Sequence, residues 1–133
     1  MKNIFTLIFV LLLCNACTKD TSAPSIEILD FQSGSTFHPS DTILFRIHFS
    51  DDLSLHSYGF AIVYDDNDSC EASPLTLHNS DIPFLEETND IVIQSGIIIP
   101  DLDICAGKYN LSITCKDKKR NINSVNDYFY VAM

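Results

Sequence analysis

Past residue 23 the chain alternates. Residues 42–49 (TILFRIHF) put Ile43, Phe45, Ile47 and Phe49 on one side of an extended segment and Leu44, Arg46 and His48 on the other. That is the period of two of a half-buried strand. Residues 108–116 (KYNLSITCK) repeat it, with Tyr109, Leu111, Ile113 and Cys115 on one face. Residues 24–31, 57–64, 90–99 and 126–132 read as further strands, a short one falls near residues 82–85, and Gly96 marks a bulge. Turn residues separate them: Ser33-Gly34-Ser35, Pro39-Ser40-Asp41, Asp51-Asp52, Asp65-Asp66-Asn67-Asp68, Pro100-Asp101 and Ala106-Gly107. Residues 65–80 read as an irregular insertion. No helical period of useful length follows the first 20 residues, and there is no internal repeat.

About seven short alternating strands within one domain predict an all-β, Ig-like β-sandwich of antiparallel strands over residues 24–133. The start of the chain has a different pattern. Met1-Lys2-Asn3 precedes ten residues, 4–13, of which only Thr6 is not apolar. A spanning helix needs about 20 apolar residues, so the segment reads as a signal peptide. Ala16 before Cys17 is a good cleavage position, and residues 1–16 form the leader. Cys14-Asn15-Ala16-Cys17 resembles a bacterial lipobox, with Cys14 where Leu is commonest. The resemblance implies that Cys17 becomes the first mature residue, its sulfur carrying a diacylglycerol and its amine open to acylation by a fatty acid such as palmitate. Two or three acyl chains give stable membrane anchoring at roughly 0.8 kcal/mol per buried CH₂. Ordinary secretion would cut the same bond. Residues 17–23 are then a short tether, spanning about 13 Å if flexible.

Cleavage removes Lys2, leaving 7 basic residues against 18 acidic ones and a formal charge of −11. That balance argues against nucleic acid and anionic headgroups as partners. It also changes the cysteine arithmetic. With Cys14 discarded and Cys17 acylated, Cys70, Cys105 and Cys115 remain, enough for one internal disulfide. Cys70 and Cys105 both fall in predicted loops and are the candidate pair. Cys115 sits on the inward face of its strand, where a free thiol acts as a small hydrophobe. Three reduced thiols are the alternative.

The stretch Ala106-Gly107-Lys108-Tyr109-Asn110-Leu111-Ser112-Ile113, then Asp117 and Asn121, is similar to a penultimate-strand pattern of bacterial Ig-like and cadherin-like modules: G-x-Y-x-L-x-I, then D-x-x-G-N. Upstream, APSIEIL, Gly34 and HPSDTILFRIHFSDDLSLHSY resemble the start of such a module. Over about residues 24–125 the chain resembles an uncharacterised family of Bacteroidota lipoproteins with a single Ig-like domain. Two departures stand out: Ser40 and Arg120 occupy places where the pattern has Gly. Some relatives carry a histidine-rich run after the third strand. Asp65-Asp66-Asn67-Asp68 stands there instead, so no histidine metal site carries over. The resemblance implies a fold and an outer-membrane address, facing the surface or the periplasm, and no activity.

Chemistry-bearing residues are sparse. Asp65, Asp66 and Asp68 are a weak candidate calcium site if Asp101 or Asp103 joins them, since calcium takes six to eight oxygens; a solvated turn is the alternative. The run lacks EF-hand spacing, and no other cofactor is implied. The last hairpin gathers Lys116, Lys118, Lys119 and Arg120, a candidate binding loop; a charged turn that keeps an edge hairpin soluble is the alternative. His38, His48, His56 and His78 have no zinc spacing, and no nucleophile or phosphate-binding motif appears. Tyr109 stands where a tyrosine corner would hydrogen-bond the preceding turn. The sequence therefore predicts a lipid-anchored, non-catalytic Ig-like envelope module binding a protein or glycan. The alternative is a structural or assembly subunit whose contacts are strand edges.

Overall fold

The computed structural model describes residues 21–65, 70–101 and 104–133. The leader, Cys14 and Cys17 lie outside the described residues, as do Asp66, Asp68 and Asp103. Eight strands follow in order: β1 (Ser25–Ile28), β2 (Thr36–Phe37), β3 (Thr42–Ser50), β4 (Leu55–Tyr64), β5 (Leu77–Pro83), β6 (Asp90–Ile98), β7 (Gly107–Asp117) and β8 (Ile122–Val131). They form two sheets, β1-β3-β6 and β2-β8-β7-β4-β5. All pairings are antiparallel except β2 with β8, which is parallel and two residues long. This is the Greek-key order of an immunoglobulin-like sandwich. No described helix is long and apolar enough to cross a membrane.

The core follows the alternation. Ile43, Phe45, Ile47 and Phe49 of β3 are buried against Ile62 of β4, Tyr109, Leu111, Ile113 and Cys115 of β7, and Phe129 of β8. Tyr109 stacks on Phe129 with ring centroids 5.4 Å apart. Its hydroxyl donates to the Cys105 carbonyl at 2.7 Å, forming the tyrosine corner.

Several expectations are corrected. The described residues form eight strands; the one the pattern does not mark is β2, too short to show a period. Gly96 is not a bulge: it pairs with Leu44 in an unbroken β3–β6 register. Residues 65–80 are not all irregular, since β5 begins at Leu77 and Ser73 bridges to Ile104. The register shifts lie in the other sheet, along β4: against β7 between Leu55 and Ser57, and against β5 between Tyr58 and Phe60. Gly59 permits the second, because a Cβ there would stand 2.7 Å from the Asn79 carbonyl oxygen. The last strand starts at Ile122 rather than residue 126 and is zipped along its length to β7.

Both positions where the resemblance expects Gly take left-handed backbone. Arg120 has φ 71° and Ser40 φ 69°. Arg120 ends a three-residue hairpin loop closed by its own N–H to the Asp117 carbonyl and by Asp117 N–H to Asn121 O, a geometry that places Gly at the third loop position. Ser40 follows Pro39 in a turn closed by Asp41 N–H to His38 O, the third position of a type II turn.

Candidate functional site

The disulfide joins Cys70 and Cys105, with Cα atoms 5.7 Å apart and a sequence separation of 35. It ties the segment after β4 to the segment before β7. Cys115 is free and fully buried, and burial pushes its thiol up to about 12, helped by the nearby Asp51 and Asp117 carboxylates. A thiol so placed is not a nucleophile at neutral pH.

The candidate calcium ligands cannot be assembled from the described residues. Asp65 pairs with Lys108 at 3.2 Å, and Asp101 accepts from the Ser40 hydroxyl at 2.8 Å. Among the described residues no group of three or more His, Cys, Asp or Glu side chains is placed to hold a metal ion.

The basic hairpin separates into two parts. Lys116 is ion-paired with Asp81 of β5, and Lys118 with Glu87 of the β5–β6 loop. These contacts hold the Asp81 and Glu87 carboxyls below their usual range, chiefly through the lysine hydrogen bonds. Lys119 and Arg120 point outward and exposed at the hairpin tip. The tip is braced from within: buried Asp117 accepts from the Asn121 backbone N–H at 2.8 Å and its side-chain amide at 2.6 Å. The D-x-x-G-N spacing is thus a hairpin cap. The four basic residues do not form one continuous patch; two are committed to β5 and its following loop.

A concavity lies beside them, on the open side of the sandwich between β5 and β6. Tyr58 of β4, Phe84 just after β5, and Ile91 and Ile93 of β6 line a groove of about 560 Å³. Its floor is an aromatic cluster: Tyr58 and Phe84 have centroids 5.0 Å apart, and both lie within 5.6 Å of the buried Phe49 ring. Leu85 stands fully exposed at the rim, with Glu86 and Asp90 beside it. A shallower depression of about 230 Å³ continues past Glu87 to Lys118. The groove exists because three strands cover five. On β3 every inward side chain is buried, whereas Ile91, Ile93 and Ile97 of β6 and Tyr58 and Phe60 of β4 are only partly so. Sequence reasoning missed these residues. The available signal was Phe84-Leu85, two large apolar residues in a short connection otherwise rich in acid (IPFLEETND).

Fold and groove together define an immunoglobulin-like β-sandwich module with one open apolar side. Residues 13–129 match the model of a family described as a domain of unknown function, DUF4625. The chain belongs to that family. No curated protein matches. Among solved structures the chain is similar to a superoxide reductase (neelaredoxin) from Ignicoccus hospitalis, at 9% identity and TM-score 0.49, covering 83% of this chain and 80% of that one. It is also similar to a Niemann-Pick type C2 protein from the Japanese carpenter ant, at 10% identity and TM-score 0.49, covering 87% and 96%. Likeness at this level says nothing about activity or ligand.

Proposed function

We propose that the chain is a lipid-anchored, non-catalytic module of a Bacteroidota outer membrane that binds a protein or glycan partner through the open side of its sandwich. The observation that carries this reading is the groove itself: a half-buried aromatic and aliphatic strip, open to solvent, beside a core whose inward positions on β3 and β7 are sealed. Apolar surface held half-exposed on a rigid scaffold is what a binding site needs. The lipobox-like Cys17 supplies the address, and a tether of a few residues keeps the domain close to the membrane. A structural or assembly subunit is the second reading, and the observation favouring it is the uncovered β6 edge beside the groove.

The test has two arms. Cells are labelled with radioactive palmitate, comparing the native chain with Cys17→Ser; label and membrane association should both be lost in the variant. Cross-linked envelope partners and an arrayed glycan set are then compared for the native chain and Leu85→Asp, which charges the groove rim at a fully exposed position. Label that survives Cys17→Ser removes the anchor. A binding profile indifferent to Leu85→Asp removes the groove.

A further inference from the structure

We propose that the free edge of β6 accepts an extended strand of a partner protein, neutral to basic and apolar at alternate positions, whose inward side chains fill the groove. The inference rests on the binding role just proposed and names the chemistry of its partner.

The two sheets have four edges, and three are short or blunted. β1 is four residues long; β2 is only two and covers β8 at Tyr130 and Val131, but further along β8 the Ser124 and Tyr128 N–H groups are taken by the Asn123 and Asp127 side chains. β5 carries the register shift against β4, Asp81 in left-handed backbone and a terminal Pro83, devices that keep an edge from pairing. β6 has none of these. It runs nine residues, DIVIQSGII, with no Pro and no charge after Asp90.

The β3–β6 register says which backbone groups are free. Ile99 N–H donates to Asp41 O, and Asp51 N–H donates to Asn89 O. Both bonds fall on the continuous register that pairs Thr42 with Ile98 and Ser50 with Asp90. Odd-numbered residues therefore hydrogen-bond toward β3. Even-numbered ones, Val92, Gln94, Gly96 and Ile98, turn N–H and C=O to the open edge, because antiparallel strands alternate in this way. Asp90 bears this out: its N–H and C=O are met by the Thr88 hydroxyl at 3.1 and 2.8 Å from outside the ladder. Beyond it, no partner faces these groups among the described residues.

An immunoglobulin-type sheet of order ABED places a fourth strand beside the one that β6 represents. Here the chain sends its next candidate, β5, to the other sheet. A strand added at that place would gain backbone bonds from β6 and direct every second side chain toward Tyr58, Phe84, Ile91 and Ile93. This is strand addition, in which the ladder gives affinity and alternate pockets give specificity. Asp90 and Glu86 flank the site, and the chain carries a formal charge of −10. That field favours a strand without acidic residues.

Three synthetic nine-residue peptides test this: one alternating valine and lysine, a copy with glutamate for lysine, and a copy with a central proline. Each is added to the purified full chain, and residue-resolved hydrogen exchange is followed. The valine–lysine peptide should slow exchange at Val92, Gln94, Gly96 and Ile98 by roughly tenfold or more and leave β8 unchanged. The other two should not. Gln94→Pro removes an outward N–H while sparing the bonds to β3, and should abolish the response. Val92→Lys and Val92→Glu, at a half-exposed outer position, leave the ladder whole and should weaken and strengthen binding respectively. Equal protection by the acidic peptide, none by the basic one, or no effect of charge at Val92 overturns the proposal. So does β6 protection that appears without peptide as the chain dimerises, which would make a second copy the occupant. Envelope capture lost in Leu85→Asp but kept in Gln94→Pro would overturn strand addition and leave the groove reading standing.

Discussion

Replacing Arg120 by glycine should stabilise the protein. Arg120 sits at φ 71° at the end of the β7–β8 hairpin loop. An L-residue there brings its Cβ too close to the following carbonyl, which costs roughly 1–2 kcal/mol. Glycine removes that cost but returns about 0.4–1 kcal/mol of extra freedom to the unfolded chain. Nothing else offsets the exchange. The Arg120 side chain is exposed and makes no ion pair or side-chain hydrogen bond to a described residue, and its contribution to the loop is the backbone bond to Asp117 O at 3.2 Å, which glycine keeps. The net expectation for Arg120→Gly is a gain of about 0.5–1 kcal/mol, raising Tm by about 2–5 °C for a domain of this size. Thermal unfolding by circular dichroism and urea titration read it directly. Arg120→Ala is the control, since it removes the same charge and stem but keeps a Cβ; it should stay within about 0.5 kcal/mol of native. Equal stabilisation by alanine would show that charge at the tip, not backbone strain, is being relieved. A loss of stability in the glycine variant would show that the arginine holds a contact. Ser40→Gly relieves the same strain at φ 69° but gives up the hydroxyl bond to Asp101, so its gain should be the smaller of the two.

Opening the Cys70–Cys105 disulfide by a double serine substitution should cost about 3–4 kcal/mol for a loop of this length, measured as a lower urea midpoint; an unchanged midpoint would mean the loop is ordered without it. Cys115, its thiol pushed up by burial to about 12, should resist iodoacetamide at pH 8 in the folded protein and react fully in guanidinium. The same shift sets a sign: the folded state holds the proton more tightly than the unfolded one. This contribution to stability is therefore complete below pH 9 and falls as pH rises toward 12, a decline that Cys115→Ala should flatten. Tyr109→Phe leaves the buried Cys105 carbonyl without its donor at 2.7 Å and should lower stability by about 1–3 kcal/mol with no change in fold.

The sequence carried the fold where burial is two-sided in its contrast. β3 and β7 alternate cleanly because one face of each enters the core and the other meets solvent, and the inward residues named from the pattern are the ones buried. β5 was largely illegible for the opposite reason. Five of its seven residues are exposed, and it is held by the β4 backbone and the Asp81–Lys116 pair, neither of which leaves a period. β2 is two residues whose parallel pairing with β8 is a tertiary fact. The hairpin cap was legible as a motif without its mechanism: Asp117 and Asn121 were marked by spacing, and only their hydrogen bonds explain it.

The groove failed to show for a deeper reason. Alternation reports which face of a strand is apolar; it is silent on whether the strand lies at an edge. Ile91, Ile93 and Ile97 repeat with the same period as Ile43, Phe45 and Ile47, yet the first set is half-buried and the second sealed. What separates them is that β3 has a neighbour on each side and β6 on one. Phe84, 26 residues from Tyr58 and 35 from Phe49 in sequence, joins their ring cluster only because β5 folds back along β4. An edge, and the half-covered strip beneath it, is a property of strand order. In this chain the surface with the most to offer a partner was therefore written in the same letters as the core.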